Sequence, residues 1–329
     1  MAPERTTERK PVRNTEMVMV TGASGFIGRA VVTALSAHPG YVVRRVCRQF
    51  DELERRQNRD TFVVALGPHS EWTAALKGVA VVVHTAARVH SMNDPVETPI
   101  DDFLEVNVLG TLHLARQAAI AGVRRFVFMS SVKVFGEQSV VNRPFVESDA
   151  CAPKEAYAAS KWEAEQALME LAAQTSMEVV IIRAPLVYGA GARANFQTLV
   201  HAVARGIPLP FGAVSNSRSL VAIDNLVDLI ATCLDHPNAG NQTFSVSDME
   251  DLSTPELVRR IAFALSRPAR LIAVPVFVLK LVATLGGQQA LFQRLCGNLQ
   301  VDTAKAASLL GWSPPVRVDE ALLRAVGRV

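Results

Sequence analysis

The fold is decided by one glycine-rich stretch, Thr21-Gly22-Ala23-Ser24-Gly25-Phe26-Ile27-Gly28, which stands between a short apolar run and an amphipathic helical pattern. A Gly-x-x-Gly-x-x-Gly turn at such a junction lets the chain bend tightly at Gly22, lets a pyrophosphate approach the backbone at Gly25, and lets the helix pack closely at Gly28. The N-terminus of the helix stabilises the phosphate charge. The stretch therefore predicts a dinucleotide site, with cofactor contacts at Gly22, Ser24, Gly25, Phe26, Ile27 and Gly28.

Outward from this stretch, continuous apolar runs alternate with longer helical patterns. The runs lie at 17–20, 42–46, 62–64, 79–83, 126–129 and 179–182, and the main helical patterns at 27–37, 101–121 and 155–173. Runs without polar alternation are typical of parallel strands buried on both faces, and right-handed crossovers then give a doubly wound α/β sheet of the Rossmann type. We expect a polar, disordered leader at 1–16, an NAD(P)-binding Rossmann domain at 17–190, and a smaller, mainly substrate-binding lobe at 191–329 with segments returning to the main sheet.

Composition excludes several classes of protein. The chain has 329 residues, 49% of them hydrophobic, which is ordinary globular usage. A formal net charge of +3 provides no electrostatic footprint for nucleic acid or an anionic membrane. The four cysteines have neither CxxC nor ligand spacing, so we expect no metal site, no disulfide framework and a reducing, cytoplasmic setting.

One apolar stretch, at 271–285, is interrupted by Pro275 and Lys280. It is shorter than the roughly 20 apolar residues that a membrane-spanning helix needs. We expect a buried C-terminal helix here rather than an integral membrane segment. Contact with a membrane surface is the alternative.

The end of the second predicted strand bears on which dinucleotide is bound. A carboxylate at that place binds the 2′-hydroxyl of NAD, but this chain has Cys47-Arg48 and no acid there. Arg48 can form a charge-assisted pair with a 2′-phosphate. We therefore expect NADP(H) to be favoured, with NAD(H) and a merely solvated arginine as the alternatives.

A candidate acid–base pair lies in the helical pattern at 155–173. Tyr157 and Lys161 are four residues apart and so share one face of the helix. An ammonium one turn away, together with a cationic nicotinamide, favours the phenolate and lowers the tyrosine pKa from its usual value near 10. Ser131 ends the fifth predicted strand, where open α/β sheets place their ligands. Its hydroxyl can bond an oxygen that changes protonation during hydride transfer.

Together these residues resemble the extended short-chain dehydrogenase/reductase family, in particular its UDP-galactose 4-epimerase-like branch. Further segments match in order: His84-Thr85-Ala86-Ala87, Asn107-Val108-Leu109-Gly110-Thr111, Arg183-Ala184-Pro185-Leu186-Val187-Tyr188-Gly189 and Arg218-Ser219-Leu220-Val221. The resemblance implies that Tyr157 is the acid/base, that Lys161 is its partner and a ribose ligand, and that Ser131 bonds the substrate oxygen. It places Ala86, Ala87, Asn107 and Pro185 around the cofactor, and it implies a homodimer formed through 101–121 and 155–173.

The resemblance leaves several reactions open. Dehydratases of this family carry an Asp-Glu pair where this chain has Val132 and Lys133, so we do not expect dehydration. Our main expectation is reduction of the C4 ketone of a UDP-4-keto-6-deoxy-N-acetylhexosamine, giving a UDP-N-acetylquinovosamine type of product for surface polysaccharide. Segments 87–90, 131–134 and 294–297 carry that closer likeness. The alternatives are a UDP-glucose or UDP-N-acetylglucosamine 4-epimerase and a non-catalytic NAD(P)H-binding regulator.

The substrate side is predicted from the same resemblance. Five residues are expected to contact the UDP-sugar: His90, Lys133, Asn195, Arg218 and Arg294. Arg218 and Asn195 match positions that bind the diphosphate or uridine, and Arg294 is a second candidate for the diphosphate. His90 and Lys133 are expected near the sugar.

Overall fold

The computed structural model describes residues 15–49, 60–89, 100–192 and 195–327. Its strands are β1 (Glu16–Thr21), β2 (Tyr41–Cys47), β3 (Thr61–Val63), β4 (Val81–His84), β5 (Arg125–Ser131), β6 (Glu178–Ala184), β7 (Leu186–Tyr188), β8 (Leu220–Ala222) and β9 (Gln242–Ser245). Within these ranges seven strands form one parallel sheet, in the order β3-β2-β1-β4-β5-β6-β9, and β7 pairs with β8. This order confirms the doubly wound α/β prediction. Glu16, expected in the leader, is instead the first residue of β1, and 1–14 lie outside the described residues.

Helices cover the sheet and build the lobe. They are α1 (Phe26–Ser36), α2 (Thr73–Leu76), α3 (Ile100–Phe103), α4 (Thr111–Ile120), α5 (Ala156–Gln174), α6 (Asn195–Ala204), α7 (Ile223–Asp235), α8 (Thr254–Ala264), α9 (Val276–Leu285), α10 (Gln289–Cys296), α11 (Ala304–Leu310) and α12 (Val318–Val326). A π-helical segment, Leu104–Gly110, joins α3 to α4. The helix predicted at 101–121 is therefore present over about that range, but its middle part is π-helical. Such π-helical turns are often found near functional sites.

The buried core explains why the strand patterns are continuous rather than alternating. Val18 and Val20 of β1 pack with α1 and α7 on one face of the sheet, whereas Met19 packs with α4 and α5 on the other. Both faces are thus removed from water, which favours unbroken apolar runs. The carboxyl ends of these parallel strands lie at one edge of the sheet, where Thr21 ends β1 and Ser131 ends β5.

The lobe has a core of its own around β7 and β8. Phe196, Val200, Leu257, Ile261 and Leu322 belong to this cluster, which is contributed mainly by α6, α8 and α12. Residues after 190 also return to the main sheet, because β9 pairs with β6. The lobe therefore stands beside the carboxyl edge of β5 and β6.

The apolar stretch at 271–285 is the main departure from expectation. It does form a helix, α9, but none of the ten residues of α9, all of them described, is buried. The prediction of a buried helix is therefore wrong. In the part of the chain that is described, no helix is both long and apolar enough to cross a bilayer.

Candidate active site

The glycine turn forms a cradle with no room for side chains. Gly22 has a φ of +67°, and a Cβ there would lie 2.7 Å from the backbone nitrogen of Ala86. A Cβ on Gly28 would lie 2.1 Å from the carbonyl oxygen of Gly22, so the close packing of Gly28 is against the turn itself. Gly25 is the N-cap of α1, and it is exposed together with Ser24. An exposed helix N-terminus behind such a turn fits the pyrophosphate of a dinucleotide.

The segment after β4 is held next to this cradle by Asn107. The side-chain oxygen of Asn107 accepts a hydrogen bond from the Arg88 nitrogen at 2.7 Å, and its amide donates to the Arg88 oxygen at 3.0 Å. The same amide donates to Ser160 Oγ at 3.0 Å. Asn107, in the π-helical segment, therefore ties the strand end that carries Ala86 and Ala87 to helix α5.

His84 supports the same edge, although no role of its own was predicted for it. One ring nitrogen lies 2.7 Å from Thr21 Oγ1 and the other 2.9 Å from Thr111 Oγ1. Burial, and then the charge of Lys161, lower the pKa of His84 to about 3. The imidazole is thus neutral at ordinary pH and connects β1, β4 and α4 by hydrogen bonds.

The predicted acid–base residues meet at the end of β5. Ser131 is the last residue of β5, and its hydroxyl accepts a hydrogen bond from the backbone nitrogen of Lys133 at 3.3 Å. Tyr157 lies in the first turn of α5. Lys161, one turn later, donates from Nζ to the Met129 carbonyl oxygen at 2.9 Å and stands 4.4 Å from the centroid of the Phe128 ring. All three residues therefore lie where α5 crosses the carboxyl end of β5.

Burial shifts the pKa values of this pair. Burial, and then the Glu155 carboxylate, raise the pKa of Tyr157 to about 12. Burial lowers the pKa of Lys161 to about 7, although Glu165 acts in the opposite direction. Burial and Glu155 both raise the tyrosine pKa in the chain alone, and the lowered pKa expected beside a cationic nicotinamide stays a prediction.

A buried ion pair braces the strands from behind. Arg183 of β6 pairs with Glu165 of α5 at 2.6 Å, and both side chains are almost wholly buried. Ser130 also donates a hydrogen bond to Glu165. A buried pair whose remaining lone pairs are bonded fixes the relative position of its elements. The sequence motif contained Arg183, but nothing in the spacing indicated its partner.

A cavity of about 570 Å³ opens between this edge and the lobe. Six of the predicted site residues line it: Ser131, Lys133, Tyr157, Pro185, Arg218 and Arg294. Much of the remaining wall is apolar and comes from the lobe, including Phe196, Leu209 and Leu257. A cavity of this kind, apolar with a few convergent polar groups, is typical of a small-molecule site.

Two of the cations that line the cavity share one carboxylate, that of Glu155. Glu155 forms ion pairs with Lys133 at 2.5 Å and with Arg294 at 3.5 Å. Burial acts to raise the pKa of Glu155, but the two cations hold that pKa below its ordinary value. Both cations were predicted from the sequence as substrate ligands, whereas the acid between them was not predicted. An acid two residues before Tyr157 was the available signal.

Arg218 has no such carboxylate. Its Nη1 donates to the Gly297 carbonyl oxygen at 2.8 Å, and burial lowers its pKa to about 10. Among the described residues it forms no ion pair. A half-buried cation that faces a cavity and has no carboxylate partner of its own is suited to an anionic group.

The other predicted residues are placed less fully. His90 lies outside the described residues, and Asn195 is the first residue of α6, of whose side chain nothing is described. Arg48 is exposed directly after β2. Pro185 is buried between β6 and β7 and lines the cavity.

A parallel sheet with a glycine cradle and a Ser, Tyr and Lys group on one edge defines the chain as a protein of the extended short-chain dehydrogenase/reductase class. More specifically, it belongs to the NAD dependent epimerase/dehydratase family, which it matches over residues 18–247. A UDP-glucose 4-epimerase of Vibrio cholerae is 45% identical over 308 residues, 92% of each chain. An Escherichia coli O157:H7 protein, N-acetyl-alpha-D-glucosaminyl-diphospho-ditrans,octacis-undecaprenol 4-epimerase, is 27% identical over 327 residues, 94% of each.

Solved structures agree on the fold. The UDP-N-acetylglucosamine 4-epimerase from Bacillus cereus superposes with a TM-score of 0.77 at 18% identity, over 95% of this chain and 96% of that one. The UDP-glucuronic acid 4-epimerase from Bacillus cereus, in complex with NAD, gives 0.76 at 19% identity, over 94% and 97%. The family is NAD dependent, and these findings do not support the preference for NADP(H) expected from Arg48.

Proposed function

We propose that the protein is a UDP-hexose 4-epimerase that works with tightly held NAD. The observation that carries this proposal is the cavity in which Ser131 and Tyr157 share a wall with the unpaired Arg218. The Vibrio cholerae relative supports this reaction, which was the alternative in the sequence analysis, over the 4-keto reduction that we expected first.

The chain's own groups can be assigned roles in that reaction. The Gly22–Gly28 turn holds the pyrophosphate of the cofactor. Tyr157, once ionised to the phenolate, takes the proton of the sugar C4 hydroxyl and later returns it, while Ser131 bonds the same oxygen. Arg218 binds the diphosphate of the substrate. NAD, when bound, supplies the acceptor and then the donor of the C4 hydride.

Lys161 holds the arrangement together. Its bond to the Met129 carbonyl fixes the ammonium at the end of β5, one helical turn from Tyr157. A phenol with a pKa near 12 is protonated at neutral pH. The phenol must therefore lose its proton before it can accept one from the sugar, and a neighbouring positive charge, which Lys161 supplies when it is protonated, favours that ionisation.

The reductase is the second candidate, because one observation favours it. Arg48 is exposed at the carboxyl end of β2, where it can meet a 2′-phosphate. A reductase consumes reduced cofactor in every turnover, whereas an epimerase regenerates its own.

This difference gives the test. Purified protein, with no nucleotide added, is incubated with UDP-glucose and with UDP-N-acetylglucosamine, and the C4 epimers are measured by chromatography. The cofactor released on denaturation is identified in parallel. We expect the wild type to interconvert the C4 epimers and to release NAD on denaturation. The Tyr157→Phe variant should not interconvert them. No epimer, together with stoichiometric loss of NADPH on UDP-4-keto-6-deoxy-N-acetylglucosamine, would replace the epimerase by the reductase.

A further inference from the structure

The surface of α9 is unusually apolar for a helix in contact with water. Phe277, Leu281 and Leu285 follow one another at intervals of four residues and so form one stripe, with exposed fractions of 73%, 57% and 81%. We call this stripe the α9 face. Val282 on the same helix and Ile272, four residues before that helix begins, are also exposed, with exposed fractions of 63% and 53%. Isolated exposed apolar residues are normal, but a contiguous patch of this kind marks an interaction surface.

The stretch of sequence that contains α9 carries charge of one sign only. Between Glu256 and Asp302 the sequence contains no acidic residue, whereas it contains six basic ones: Arg259, Arg260, Arg267, Arg270, Lys280 and Arg294. The net charge of +3 for the whole chain conceals this local excess. Lys280 lies three residues after Phe277 and therefore flanks the stripe.

Four of these cations, Arg259 among them, are exposed and in no ion pair within the described residues, and three of the four lie nearer to α9 in the sequence. The three are Arg267, Arg270 and Lys280. Arg260 and Arg294, by contrast, are paired with carboxylates. An apolar stripe flanked by unpaired cations is complementary to a surface that offers apolar chains beneath anionic groups.

We propose that α9 docks on an anionic lipid bilayer, lying in the plane of the headgroups. The α9 face would enter the boundary between headgroups and acyl chains, and Lys280 with the neighbouring arginines would meet lipid phosphates. Ten residues make a helix of about 15 Å, half of the roughly 30 Å hydrocarbon core, so α9 lies on the membrane rather than across it.

A second copy of the chain fits this surface less well. Two α9 faces brought together would also bring two acid-free segments together, and like charges then oppose the contact. A bilayer rich in anionic lipid has the opposite charge. Charge complementarity therefore favours the membrane over self-association.

Docking would also affect the cavity of the site. Helix α10 packs against α9 and contributes Leu291, Arg294 and Leu295 to the cavity wall. The α9 contact with lipid would therefore place this wall close to the bilayer surface. The proposal rests on the lobe alone and does not depend on which sugar is epimerised.

The experiment is flotation of the full chain with lipid vesicles at low salt. One set contains phosphatidylcholine with about a third phosphatidylglycerol, and the other contains phosphatidylcholine alone. Phe277→Ser with Leu281→Ser removes the stripe, and Lys280→Glu reverses the flanking charge. Phe263→Ser on α8 is the matched control, because Phe263 is 78% exposed.

We expect the wild type to float with the anionic vesicles, less so as salt rises. The double variant should lose at least about tenfold in partition coefficient and Lys280→Glu about tenfold, with the control within about twofold. No flotation, equal flotation with both vesicle types, or an equal loss in Phe263→Ser would overturn the proposal. So would a change of mass by light scattering, without lipid, in the double variant, since the α9 face would then be a subunit contact. Turnover of UDP-sugar without lipid should be unchanged, which separates this test from that of the proposed function.

Discussion

The end of β5 and the α9 face represent two opposite ways of using a surface. At the end of β5, Lys161 is charged at low pH yet 2% exposed, and its ammonium is held by a backbone carbonyl. On α9, Phe277 and Leu285 are apolar yet 73% and 81% exposed. Each region places side chains in the environment that is unfavourable to them.

Such placements are stable only where the rest of the fold supports them. The buried lysine is supported by Phe128 and by the bracing pair Arg183–Glu165. The exposed stripe has no comparable support from the described residues. The first region is held by groups of the chain itself, whereas the second has the character of a surface that an external partner covers.

The largest expected effect is a loss of catalysis at the end of β5 with no change in the structure there. Tyr157→Phe removes one hydroxyl that lines the cavity. Because the residue would be the general acid and base, we expect kcat to fall by about 10³-fold or more, with bound cofactor retained. Steady-state kinetics measures kcat, and the cofactor released on denaturation measures how much of it is bound. A loss under about tenfold would remove Tyr157 from the chemistry.

The comparison also explains what the sequence could predict. The strands and the motifs at Gly22, Ser131 and Tyr157 were readable because local rules act there: a turn needs glycine, and helical spacing puts Lys161 beside Tyr157. The doubly wound class of the sheet, though not the order of its strands, followed from strand burial and crossover handedness. These features depend on neighbours in the chain.

What the sequence could not give depends on distant contacts. Glu155 meets Arg294 across 139 positions of sequence, so their pairing became visible only in the fold. Burial decided the pKa of Tyr157, and no spacing rule measures burial. The apolar pattern at 271–285 fits a core helix as well as an exposed one. The pattern predicts that a helix forms, whereas the tertiary structure determines whether that helix is buried or exposed.

The second prediction sharpens the contrast between a constrained and an open position. Gly22 and Gly78 both have positive φ, +67° and +75°, but only at Gly22 would a Cβ meet backbone within 4 Å. Alanine at either site costs about 1–2 kcal/mol from backbone strain. We expect Gly22→Ala also to weaken NAD binding about 100-fold and Gly78→Ala to leave it unchanged. Calorimetric titration of NAD checks this, and equal affinities would remove the cradle from the cofactor site.

The third prediction separates the two arginines of the cavity. Arg218 has no carboxylate partner among the described residues, whereas Arg294 is paired with Glu155 at 3.5 Å. We expect Arg218→Ala to raise KM for the UDP-sugar by about 30-fold and to lower kcat much less, because the lost contact is to the diphosphate. Arg294→Ala should change KM by less than about threefold. The opposite ranking would make Arg294 the diphosphate ligand.

The smallest expected effect concerns stability, and it tests whether the β5 end is held against its own cost. Burial lowers the pKa of Lys161 to about 7 in the folded chain, below the value of about 10.4 for a free lysine. Below pH 7 both folded and unfolded chains are protonated at this site, so the full cost of burying the ammonium is present. As pH rises from 7 to 10 the folded lysine is neutral while the unfolded one still binds a proton, and the cost of burial declines.

Lys161→Met should therefore raise Tm by about 2–5 °C at pH 6, with the difference from wild type narrowing by pH 10. Melting curves across this range check it, and Leu281→Ser on the exposed α9 face should give a Tm difference that does not vary with pH. If Lys161→Met lowers Tm at pH 6, the hydrogen bond to Met129 and the contact with Phe128 outweigh desolvation, and the lysine stabilises the fold it was expected to strain.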